Sequence, residues 1–251
     1  MTRLEPKLVE KPWGRTELPA MFGPTAGRRI GEVWFTGGGD DLPLLAKYIF
    51  TSEGLSIQVH PNDEQAHARG LAQGKSECWA ILDAEPGATL GLGLKHTLDK
   101  DDLRAAALDG SIERLINWRP VAAGDFVFVP SGTVHAIGAG ISLLEFQQNS
   151  DVTYRLYDYG RPRELHLDDG IAVANSAPFQ GSVQRLDGGE RTLVDGPHFT
   201  LVLGRNDALT DRRRWVMPID GERSGECLLL EPGEELEIAG DRMLVGATPR
   251  S

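Results

Sequence analysis

The sequence predicts an all-β-dominated fold, a sandwich or a closed barrel. Short apolar stretches recur along the chain, β-branched and aromatic residues are frequent in them, and glycine and proline punctuate them. "LLAKYIF", "GLSIQVH", "CWAIL", "DFVFV", "ISLLEFQ" and "VTYRLY" are the clearest strands in chain order. Two segments between them read as short helices. "NDEQAHARGLA" starts with Asn62 or Asp63 as N-cap and carries His67 outward, and "LDKDDLRAAALDGSIERLINW" starts at Asp99 or Asp101, has an alanine-rich interior and breaks at Gly110. A further helical stretch, "LDDGIAVANS", follows His166. In the C-terminal part, "HFTLVLGR" and "ECLLLEPGEELEIAGDRMLVGA" predict hairpin-like strands. No internal repeat, low-complexity segment or clear linker divides the chain.

A chain of 251 residues with 40% hydrophobic residues can bury a substantial core. The start, "MTRLEPKLVEKPWGR", has no apolar run of signal-peptide length, and no stretch approaches the roughly 18 apolar residues of a membrane span. Cys78 and Cys227 form no disulfide framework, which agrees with a reducing compartment and predicts a cytoplasmic chain. A formal charge of −11 argues against nucleic acid or an anionic membrane as partner, because both are bound by concentrated Lys and Arg. The one basic cluster, Arg212, Arg213 and Arg214, reads as a solvated loop.

The residue types that carry chemistry lie between Gly54 and Arg155. Gln58 and His60 stand two apart in a strand, so both leave one face and can reach one ion. Glu77 in "GKSECW" adds a carboxylate from a second strand, and His135 in "GDFVFVPSGTVHAIG" adds an imidazole from a third. These are nitrogen and oxygen donors that zinc or another divalent first-row ion accepts. Alternation puts Lys75, Glu77 and Trp79 on one face and turns Cys78 to the other, where its thiol packs inertly. Burial beside a divalent ion disfavours protonated lysine and makes Lys75 a proton acceptor, whereas a salt bridge to Glu77 is the plainer role. Arg155, Tyr157 and Tyr159 share one side of a later strand that is expected to lie alongside "ISLLEF" and meet the ligand. His67, His96, His166 and His198 read as structural or solvated.

Gly124, Pro130, Gly132 and His135 have the spacing of the second motif of the cupin superfamily, which this region resembles, although Ala139 replaces the usual asparagine and Gln58 stands where many cupins have a first histidine. More specifically, "LLAKYIFTSEGLSIQVHPND", "GKSECW" and "PSGTVHAIGAGISLLEFQQNSDVTYRLYDYGRPRELH", with "EKPWGR" and "GEVW" near the start, resemble class I mannose-6-phosphate isomerases of the short bacterial type, over about residues 5 to 175. The resemblance implies a cupin jelly-roll barrel with helical insertions, a metal-binding domain over 1–178, and a shortened, metal-free cupin-like β domain over 179–251. It also implies one Zn2+ per chain, or another divalent first-row ion, on Gln58, His60, Glu77 and His135, with Arg155 as the catalytic arginine and a phosphosugar as substrate.

The implied reaction is an aldose–ketose isomerisation between D-mannose 6-phosphate and D-fructose 6-phosphate through an enediol. Arg155 would stabilise charge and Lys75 would transfer the proton, with Glu145 in reserve as base or ligand-orienting group. Two other classes stay open on the residues. His60, Glu77 and His135 alone would suit a non-haem iron oxygenase, which the fourth donor Gln58 argues against, and a non-catalytic sugar-binding cupin could keep the metal without the chemistry. Nothing in the pattern selects between a monomer and a homodimer.

Overall fold

The computed structural model describes residues 1–37, 42–205, 207–236 and 242–250. Among them, the strands form three sheets, and every ladder between named strands is antiparallel. The five-stranded sheet runs Tyr154–Tyr157, Ile57–Val59, His135–Ile137, Thr89–Leu94, Ile116–Pro120. The seven-stranded sheet runs Gln184–Arg185, Asp125–Val129, Glu77–Ala84, Ile141–Gln148, Leu44–Phe50, Ile30–Thr36, Glu5–Arg15. The six-stranded sheet combines the N-terminal pair Thr2–Arg3 with Leu228–Leu230, Arg214–Pro218, Met243–Ala247, Thr200–Gly204 and Arg191–Asp195.

Between the five- and seven-stranded sheets lies a core of Trp13, Ile49, Trp79, Leu92, Val129 and Leu143 with their neighbours. The outer face of the seven-stranded sheet is covered in turn by the six-stranded sheet, with Cys78, Phe126 and Phe146 meeting Phe199, Leu201 and Trp215. A middle layer covered on both faces explains why Leu44–Phe50 and Ile141–Gln148 are buried at every position and read as unbroken runs rather than alternating ones. The two sheets approach closely at Gly246, where an added Cβ would come within 2.4 Å of the Phe146 ring.

Helices cover the outside of the five-stranded sheet, where Leu103, Ala106, Ile112, Ile171 and Val173 pack on Ile57, Val59 and Leu156. Asp63–His67 is capped by Asn62, whose side chain accepts from the Gln65 N–H while Gln65 returns a bond to the Asn62 N–H. Lys100–Asp109 is capped by Asp99 and ends at Gly110, which takes the left-handed conformation at φ +78°. Leu167–Val173 follows His166 as expected. No helix among the described residues is long and apolar enough to cross a membrane.

Three expectations are corrected. The helical pattern through "INW" stops at Leu115, because Ile116–Pro120 pairs with Thr89–Leu94 as an edge strand. Leu228–Leu230 and Met243–Ala247 are not each other's hairpin partners, since Arg214–Pro218 lies between them and pairs with both. Arg214 is consequently not in a solvated loop. It is wholly buried, and its guanidinium donates to the carbonyls of Glu231 and Glu234. The part of "ECLLLEPGEELEIAGDRMLVGA" at 237–241 lies outside the described residues.

Candidate metal centre

Two rows of directly opposed residues face each other across the barrel. In the five-stranded sheet, Gln58 pairs with His135 on one side and with Arg155 on the other. In the seven-stranded sheet, Trp34, Lys47, Glu145 and Trp79 are successive cross-strand partners. Residues directly opposite in antiparallel strands leave the same face, so each row projects a compact set of side chains into the interior. Between the rows lies a cavity of about 210 Å³, lined by Gln58, Glu77, Lys75, Glu145 and Arg155 together with Lys11, Trp13, Glu32, Lys47 and Trp79.

His60, Glu77 and His135 bring their donor atoms within 4.8 Å of one another, all buried, and form a group able to hold a metal ion. The Nδ1–H of His60 donates to the Val152 carbonyl at 2.7 Å and that of His135 to the Thr133 carbonyl at 2.8 Å. A carbonyl can only accept, so each ring carries its proton on Nδ1 and turns a bare Nε2 lone pair inward. His60 Nε2 then stands 3.5 Å from Glu77 Oε2, and His135 Nε2 stands 3.2 Å from Glu77 Oε1. Burial and the Lys75 charge push His60 down to about 3, and burial lowers His135, so both rings are neutral at pH 7. Burial alone would raise the Glu77 carboxyl, but the Lys75 ammonium 2.9 Å away opposes it, and the group is held well below the usual carboxylate range.

Four acceptor atoms with no proton among them repel one another, and a cation between them relieves that repulsion. His60 Nε2 is buried without a hydrogen-bond partner, as such an arrangement requires. Gln58 Nε2 lies 3.3 Å from His135 Nε2, while Gln58 Oε1 accepts from Ser56 Oγ at 3.0 Å. A half-turn of this amide presents the oxygen to the centre and the nitrogen to Ser56, so the donor set fits a cation.

Away from the histidines the charges alternate. Lys75 Nζ is 2.9 Å from Glu77 Oε2 and 3.6 Å from Glu145 Oε1; Lys47 Nζ is 3.1 Å from Glu145 Oε1 and 3.9 Å from Glu32 Oε1; Lys11 Nζ is 3.2 Å from Glu32 Oε2. The Trp79 and Trp34 indoles donate to Glu145 and Glu32 at 3.2 and 2.6 Å. Burial and the Glu77 charge raise the Glu145 carboxyl to about 7, against the pull of Lys47 and Lys75. Arg155 enters from the opposite wall, its Nε donating to the Glu164 carbonyl at 2.8 Å. Cys78 faces away into the outer core, and its thiol donates to the Phe146 carbonyl at 3.3 Å.

The structure brings Gln58, His60, Lys75, Glu77, His135, Glu145 and Arg155 together as expected, but not by the expected path. The strand Tyr154–Tyr157 does not lie alongside Ile141–Gln148; it crosses to the other sheet and pairs with Ile57–Val59. The ladder shifts register between Arg155 and Tyr157, and Tyr157 and Tyr159 leave the cavity to pack edge-to-face on each other at 5.2 Å. His166 lines the cavity instead, its Nδ1 accepting from the Arg155 N–H at 3.2 Å, as do Asp151 and Thr153. Lys11, Trp13, Glu32 and Lys47 escaped sequence reasoning. Lys11 and Trp13 lie in "EKPWGR" and Glu32 in "GEVW", upstream of the ligands, and Lys47 lies inside the strand "LLAKYIF".

A six-over-seven-over-five arrangement of antiparallel sheets, with two neutral histidines and a carboxylate converging inside the inner barrel, defines a cupin with a metal-binding donor set. No family model matches the chain. It is 48% identical over 210 residues to a mannose-6-phosphate isomerase of Bacillus subtilis, covering 67% of this chain and 66% of the relative. A mannose-6-phosphate isomerase of Streptococcus mutans is 42% identical over 171 residues, 63% of this chain and 53% of the relative. A provisionally named mannose-6-phosphate isomerase of Bacillus subtilis is 37% identical over 245 residues, 79% of this chain and 77% of the relative. The crystal structure of a mannose 6-phosphate isomerase from Bacillus subtilis superposes with a TM-score of 0.79 at 28% identity, over 97% of this chain and 98% of that one. The chain belongs to the mannose-6-phosphate isomerase family. It spans 53% and 66% of the length of the Streptococcus mutans and the first Bacillus subtilis relative.

Proposed function

We propose that the chain is an aldose–ketose isomerase that interconverts D-mannose 6-phosphate and D-fructose 6-phosphate. The observation that carries this is the pair of inward lone pairs on His60 and His135, facing the Glu77 carboxylate in a cavity that also holds Lys75, Glu145 and Arg155. The relatives named for this activity support it, and a zinc-bound mannose 6-phosphate isomerase of the same fold supports zinc as the ion. Gln58, His60, Glu77 and His135 would hold one Zn2+ per chain. The ion, when bound, supplies Lewis acidity toward the sugar oxygens and so lowers the cost of enolisation.

The chain's own residues divide the remaining work. Lys75 is assigned to move the proton between C2 and C1: as the free amine, its own proton passed to the Glu145 carboxylate 3.6 Å away, Nζ takes the proton from C2 and gives it to C1. Arg155 is held by its Nε on the Glu164 carbonyl, which leaves the Nη atoms to meet negative charge growing on the enediol oxygen. The Lys11–Glu32–Lys47 series fixes the far wall and keeps Glu145 in place. Residues 1–178 are taken as the metal-bearing unit and 179–251 as a shortened, metal-free cupin-like unit, with Thr2–Arg3 lent to the sheet of the second and Gln184–Arg185 to a sheet of the first. The test is a coupled assay of fructose 6-phosphate formation from mannose 6-phosphate with the purified chain. Turnover supports the reading, and a zinc-loaded folded chain with none overturns it.

A further inference from the structure

The segment that links two of the donor-bearing positions closes on itself through Asp63. After His60 the chain passes Pro61 and Asn62 into the helix Asp63–His67 and returns at Gly74 toward Lys75 and Glu77. Three consecutive backbone N–H groups before Glu77 are then tied down. Gly74 N–H donates to Asp63 Oδ1 at 2.8 Å, Lys75 N–H to the Pro61 carbonyl at 2.9 Å, and Ser76 N–H to Gln148 Oε1 at 2.9 Å. Gln148 Nε2 donates to the same Asp63 Oδ1 at 2.9 Å, so one carboxylate oxygen joins the first and third of these ties. At Gly74 the two stretches touch, since an added Cβ would lie 2.4 Å from the Asn62 carbonyl carbon.

The other oxygen of Asp63 faces a different part of the fold. His198 Nδ1 stands 3.4 Å from Asp63 Oδ2, and His198 immediately precedes the Phe199–Leu201 stretch that packs the six-stranded sheet on the middle layer. Asp63 touches no donor atom of the centre, yet it connects the Glu77 segment, the end of strand Ile141–Gln148 and the outer sheet.

We propose that Asp63 is a positioning residue for the metal centre. Through Gly74 and Gln148 it sets Lys75 and Glu77 against His60, and through His198 the six-stranded sheet steadies that setting. The inference deepens the function proposed above and rests on Glu77 being a ligand. A side-chain oxygen accepting two N–H bonds is well suited to the role, because it ties two separate segments to one point.

The test is the rate at which the zinc-loaded chain gives up metal to an excess of a coloured chelator, read without substrate. Asp63→Ala should release zinc about tenfold faster, as the loss of a group that orients a ligand does. Asp63→Asn keeps an acceptor oxygen for Gly74 and Gln148 and should stay within about threefold of the parent, and His198→Ala should fall between the two. Gln148→Ala, which removes the Ser76 tie and leaves Asp63 in place, should also accelerate release and serves if Asp63→Ala does not fold. Parent-like release from a cooperatively melting Asp63→Ala or Gln148→Ala chain overturns the proposal, and so does an Asn variant as leaky as the Ala one. A chain that shows the expected release rates but no isomerase turnover would overturn the proposed reaction and leave the positioning role standing.

Discussion

Arg155 is the direct cross-strand partner of Gln58 in the antiparallel ladder, and Gln58 is in turn the partner of His135. A permanent cation, an amide and an imidazole are therefore held in one row on three adjacent strands, at a separation fixed by the sheet rather than by flexible loops. The opposite wall supplies Glu77 and Glu145 from the middle sheet and Lys75 from the segment that leads into it. The centre lies between two rigid surfaces.

Arg155→Ala separates binding from chemistry. Arg155 makes no contact with His60, Glu77 or His135 that would hold the metal, so the variant should keep full metal content and the parent's melting temperature. Turnover should fall by about 10²- to 10³-fold, the usual loss on removing one group that stabilises an oxyanion. Metal analysis alongside the coupled assay checks both halves, and parent-like turnover would take Arg155 out of the mechanism.

His135→Ala should instead lose metal and activity together. The imidazole supplies one of the inward lone pairs, and its Nδ1 bond to Thr133 is what aims it. A variant that retained full metal occupancy after gel filtration would contradict the assignment of His135 as a ligand.

Glu32 gives a prediction about acid stability. Burial raises its carboxyl, but Lys47 and Lys11 outweigh that, and the folded group sits below its ordinary 4.5. A depressed folded pKa contributes stability that is fully present above the unfolded value and is lost as the pH falls through the folded one. At pH 7, Glu32→Gln should cost about 3 kcal/mol, near the lower end for breaking a buried ion pair. The gap between parent and variant should narrow below about pH 4.5. Denaturant melts of the chelated proteins from pH 7 to pH 3.5 measure it, and a gap independent of pH would be the contrary result.

How much of this was legible in the sequence follows from what sequence can encode. Gln58, His60 and His135 could be placed because strand alternation and a dense motif act over a few residues. Lys75, Glu77 and Trp79 were placed on one face for the same reason. Lys47 was hidden in "LLAKYIF", where a strand buried on both faces shows no alternation, and its partner Glu32 sits on another strand with no local sign of the pairing. Tyr157 and Tyr159 were misplaced because alternation assumes an unbroken ladder, and this one shifts register directly after Arg155. Arg214 looked solvated in "DRRRW" because its partners are backbone carbonyls at Glu231 and Glu234, which leave no mark on composition.

Metal-dependent isomerisation is tested by following activity and bound metal together through chelation and zinc restoration. Removing the ion should abolish conversion of mannose 6-phosphate to fructose 6-phosphate, and one equivalent of zinc per chain should bring it back. Undiminished conversion by a chain shown to be metal-free would contradict it.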